Sequence, residues 1–117
     1  MRLVNRAAIT VKPKQPYIDW ANALDDDGPK LTDEHLPERA VYLIDDIDDF
    51  LGEKEAIIKR YFGEIFEQEL VAWHRVESEW PANRNFATFM EWFEVEVHSM
   101  ILDLGHGRID TEPFEGY

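Results

Sequence analysis

The alternation of apolar and polar positions is clearest from Phe93 onward, and it predicts a β-strand over Phe93 to Leu104. Phe93, Val95 and Val97 fall on one face and Glu94, Glu96 and His98 on the other. After His98 the phase falters. Ser99 takes the apolar side, while Met100, Leu102 and Leu104 occupy the side that had been polar. That change predicts burial on both faces or a bulge. Leu3 to Val11 reads as a second strand, with Leu3, Ala7, Ile9 and Val11 on one face, interrupted by Asn5. Its other face carries Arg2, Val4, Arg6, Ala8, Thr10 and Lys12. Arg39 to Asp45 is a third strand, apolar on both faces, which predicts an interior position in the sheet.

Helical periodicity fills the gaps. Tyr17, Trp20, Ala21 and Leu24 follow Pro16 at i, i+3, i+4 and i+7, with proline suited to the first helical position. Ile58, Phe62, Ile65, Phe66, Leu70, Trp73 and Val76 form a longer stripe, predicting a helical region to about Glu79, broken near Gly52 or Gly63. Phe86, Phe89, Met90 and Phe93 form a third stripe, opened by Asn85 as N-cap. The order is β-α-β-α-α-β. It predicts one α+β domain over residues 1–104, a sheet of about three strands with helices on one face, and a tail over 105–117.

Length and composition agree with that picture. The 117 residues are 44% hydrophobic, enough for a core in one domain, and contain no cysteine, which fits a reducing cytoplasm. There is no secretory leader pattern at the N-terminus and no apolar run of membrane-spanning length, so a soluble cytoplasmic protein is expected. Charge adds more. The net charge is −13, yet residues 1–15 carry Arg2, Arg6, Lys12 and Lys14 and no acid, leaving 25 acids against 8 bases in the remainder. An acidic body of this kind disfavours direct nucleic-acid binding.

The candidate chemistry is sparse. Glu94, Glu96 and His98, at i, i+2 and i+4 of one strand, have the donor types for a divalent cation or an acid/base pair. Equally, the basic residues of the first strand can neutralise them across a sheet. Ala23 to Glu34 partly fits a calcium loop but has Ala23 where the first carboxylate belongs. The acids around Ile47 suit a helix N-terminus. No phosphate loop, nucleophile elbow or zinc-binding His pair is present. Trp80 precedes a proline in a turn and Trp92 lies beside its stripe, so these two are candidate binding-surface anchors alongside Arg2, Arg6 and Lys12. No cofactor is implied. The expected function is an acidic interaction or regulatory module working through contacts with a protein partner or a second copy. The alternatives are a small metal-dependent hydrolase or ligand-binding protein on the Glu94/Glu96/His98 face, and a nucleic-acid mimic.

Overall fold

The computed structural model describes residues 1–24, 30–32, 39–47 and 53–114. It has the α+β architecture, with three α-helices, a three-stranded sheet and a two-stranded ribbon among the described residues. The elements are β1 (Arg2–Val4), β2 (Arg6–Pro13), α1 (Gln15–Ala23), β3 (Ala40–Asp45), α2 (Lys54–Trp73), a 3-10 turn at Glu77–Glu79, α3 (Phe86–Trp92), β4 (Phe93–His98) and β5 (Ile101–Asp103). The main sheet is antiparallel in the order β3-β2-β4, and β1 pairs with β5 antiparallel as a separate ribbon.

Two expected strands are therefore each split in two. The reason is one extra residue. Ala8 pairs with His98 and Val4 with Ile101, so three residues intervene on the first strand but only two on the last. A bulge of this kind shifts every side chain beyond it to the opposite face. Leu3 consequently leaves the set of Ala7, Ile9 and Val11, which are fully buried, and faces solvent instead. Leu102 keeps the phase of Glu96 and His98 and is also exposed, so the last strand is not buried on both faces.

β3 is an edge strand, not the interior one expected. Among the described residues it pairs only with β2, and Val41 and Leu43 on its helix-free side are more than half exposed. The opposite side of the sheet meets the helices through Ile9, Val11, Ile44, Phe93 and Val97. Against them pack Tyr17, Ile18 and Ala21 of α1, Ile58, Ile65, Phe66 and Leu70 of α2, and Phe89 of α3. Phe66, Phe89 and Phe93 are fully buried, with ring centroids 5.1–5.6 Å apart in tilted or edge-on pairs, the arrangement that ring quadrupoles favour.

Local signals set the boundaries. Pro16 lies in the first turn of α1, and Asn85 caps α3 by accepting a 2.8 Å hydrogen bond from the Thr88 amide. Helix α3 passes into β4 without a loop. The Phe93 amide donates to the Phe89 carbonyl while its own φ/ψ of −134°/143° is already extended. Directly opposite Phe93 on β2, Pro13 has no amide to donate, and the Lys14 amide bonds the Trp92 carbonyl at 2.7 Å. Helix α2 runs unbroken through Gly63 and ends at Trp73 rather than near Glu79. Trp73, expected in the core stripe, is 38% exposed at that end. Asn22 clasps Leu31, its side chain donating to the Leu31 carbonyl and accepting from the Leu31 amide, which seats Leu31 in the core. The calcium-like acids Asp25, Asp27 and Glu34, with Gly28, Asp48, Asp49 and Gly52, lie outside the described residues.

Candidate interaction surface

The helix-free side of the main sheet holds Glu94, Glu96 and His98. Across β2 their direct neighbours are Lys12, Thr10 and Ala8. The cation that engages the carboxylates is Arg39, just before β3, which reaches over the central strand to Glu94 at 3.6 Å and to Glu96 at 3.1 Å. Glu96 is also 3.6 Å from the His98 ring, which lies 3.2 Å from the Thr10 hydroxyl. Arg2 and Arg6 are not part of this set. The antiparallel register carries them past His98, opposite Asp103 and Asp45 respectively, and the Arg6 guanidinium donates to the Asn5 carbonyl. All four side chains of the Arg39 cluster are a third to half exposed, where ion pairs contribute roughly 0–1 kcal/mol. Among the described residues, no three histidine, aspartate or glutamate side chains converge on a point that a metal ion can share.

The β1–β5 ribbon carries the more unusual surface. Leu3 and Leu102 are direct partners and are 69% and 50% exposed. Met100 and Leu104, two residues either side of Leu102, are 66% and 73% exposed, and Met1 is 82% exposed. No residue of the ribbon belongs to the hydrophobic core cluster or packs against it. At its base a shallow cleft of about 370 Å³ is lined by Leu3, Val4, Asn5, Asp46, Ile47, Ser99 and Met100. Soluble chains scatter single apolar residues over their surfaces, whereas contiguous apolar strips mark contact sites.

Trp80 and Trp92 sit at the margin of the core. Both are partly buried against it. The Trp80 indole donates to the His74 carbonyl at 2.8 Å, with the Arg84 guanidinium over its ring at 5.6 Å. Trp92 meets Tyr17, Trp20 and Phe66 edge-on or tilted. His106 is exposed beyond β5.

One polar cluster escapes the sequence reading. The Tyr42 phenol of β3 donates a 2.5 Å hydrogen bond to the Glu69 carboxylate of α2, and the Tyr17 phenol of α1 donates to the Glu69 backbone carbonyl at 2.8 Å. Burial raises the Glu69 carboxyl above the ordinary glutamate range despite the opposing effect of the Tyr42 bond. Burial and the nearby Glu69 charge raise the Tyr17 phenol. Burial and the bond to Glu69 raise that of Tyr42. The signal was present: Glu69 lies four residues after Ile65 and three after Phe66, a carboxylate inside an apolar stripe. The three groups tie both α1 and the edge strand to α2, a structural clasp on the helix-covered side.

No family model, no curated protein and no solved structure matches this chain. Among the described residues no helix is long and apolar enough to cross a membrane.

Proposed function

We propose that this protein is a non-catalytic module that works through protein–protein contacts, using the apolar face of its β1–β5 ribbon. The observation that carries the reading is the exposure of Leu3, Met100, Leu102 and Leu104 on a ribbon that contributes nothing to the core. An isolated two-stranded ribbon is marginally stable in water, so an apolar one gains from being covered. The competing reading, metal-dependent chemistry at Glu94, Glu96 and His98, has weaker support because one guanidinium engages both carboxylates. Calorimetric titration with Mn²⁺, Zn²⁺ and Mg²⁺ separates the two, and the contact reading predicts no binding heat.

The direct test is photo-crosslinking in the cells that make the protein, with benzoylphenylalanine at position 102 and, as a control, at the exposed Glu64 of α2. The expected result is an adduct of defined mass from position 102 and none from position 64. No adduct from either position contradicts the reading.

A further inference from the structure

We infer that the partner which covers the β1–β5 ribbon is a second copy of this chain, packed ribbon to ribbon about a two-fold axis. The inference rests on the contact reading and names its occupant.

Charge favours this occupant. The chain carries a net −13, so most approaches of one copy to another meet repulsion. The ribbon is the exception. Within Arg2–Val4 and Ile101–Asp103 there is one cation and one anion, and these two, Arg2 and Asp103, are direct cross-strand partners. The next arginine, Arg6, likewise stands opposite Asp45. A basic partner gains little from so neutral a strip and would be drawn instead to the acidic body. A second copy of the strip matches it in polarity and places the two acidic bodies at opposite ends of the dimer.

Geometry agrees. Leu3 and Leu102 are paired side by side at the middle of the strip, with Met100 and Leu104 to either side of Leu102, so the strip is self-complementary: in a two-fold stack each apolar side chain of one copy meets an apolar side chain of the other. Covering these side chains on both copies removes on the order of 1,000 Å² from water, near the lower limit for specific association. The expected dimer is therefore weak and concentration-dependent. Apolar contact against a background of like charge also sets the salt response: added salt screens the repulsion and leaves the contact intact. An assembly driven by the basic first strand meeting an acidic surface would respond in the opposite sense.

Sedimentation equilibrium of the full chain, from low micromolar to submillimolar concentration at low and high salt, tests this. The expected wild-type result is a mass that doubles across the series, with the midpoint at lower concentration in high salt. The variant L3D/L102D is expected to remain monomeric. Because charge inside the ribbon can also unpair β1 from β5, M100K/L104K, which alters residues outside both strands, supplies a second variant expected to weaken association at least tenfold. V41D/L43D, on the exposed side of the edge strand β3, is expected to dimerise like wild type. A wild-type monomer at every concentration overturns the inference, as does loss of the dimer in V41D/L43D but not in M100K/L104K. If that monomer is found while position 102 crosslinks to a different chain, the second copy is wrong and the contact module stands; absence of any adduct removes both.

Discussion

Leu3 and Leu102 stand directly opposite each other across the β1–β5 ribbon, and both face solvent. Had the first strand continued in regular alternation, Leu3 would have joined Ala7, Ile9 and Val11 under the helices. The extra residue between Val4 and Ala8 turns it out to meet Leu102. The bulge thus converts a strand end that would extend the core into one that presents an apolar strip.

The clasp at Glu69 predicts an asymmetry between its two partners. Tyr42→Phe leaves a partly buried carboxylate without its donor and is expected to destabilise the fold by about 1–3 kcal/mol. Glu69→Gln keeps an acceptor for the Tyr42 phenol and removes the cost of burying a charge, so its stability at neutral pH should equal or exceed that of wild type. Urea denaturation checks both. A loss in Glu69→Gln as large as that in Tyr42→Phe would show that the charge itself is needed.

The same residue sets a pH dependence of known sign. Glu69 holds its proton more tightly folded than unfolded, because burial raises its carboxyl. Its contribution is therefore fully present below the ordinary glutamate range and is lost as pH rises through the raised folded value. The difference in stability between wild type and Glu69→Gln should move against wild type as pH climbs from acid toward neutral, and then level off. Paired melts across that range cancel the response of the other acids; a difference that moves the other way contradicts the assignment.

Gly63 offers a stabilising substitution. It lies inside α2, exposed, and a Cβ added there meets nothing within 4 Å. Gly63→Ala should raise stability by about 0.5–1 kcal/mol through helix propensity and unfolded-state entropy, read as a higher urea midpoint with an unchanged slope. A lower midpoint would mean that the helix needs to flex at that position.

Arg39 is expected to matter modestly and in a salt-dependent way. Arg39→Gln removes the cation between Glu94 and Glu96 and should cost about 1 kcal/mol or less at low ionic strength. The loss should shrink as salt is added, because these side chains are substantially exposed. Urea melts at two salt concentrations measure it, and a loss of several kcal/mol independent of salt would contradict a surface role.

Much of this fold was legible residue by residue. The stripes of α1, α2 and α3, the Asn85 cap and the switch of period at Phe93 are local signals, and local energetics decide them. The interruption at Asn5 and the lost phase after His98 marked both sides of the bulge. Burial on both faces of the last strand and an interior place for β3 did not follow, because strand order decides which apolar residues find cover. Val41 and Leu43 read as core yet lie bare on an edge strand. The same non-local choice placed Arg39, rather than Arg2 or Arg6, over Glu94 and Glu96. The Glu69 clasp needed α2 and the edge strand brought together before its carboxylate had a donor.

Amide hydrogen exchange as a function of protein concentration reports where the molecule is covered. Slowed exchange confined to the ribbon, at residues 2–4 and 100–104, on moving from dilute to concentrated protein, with α2 unchanged, is the predicted result. Ribbon amides that exchange at the same rate at every concentration would contradict it.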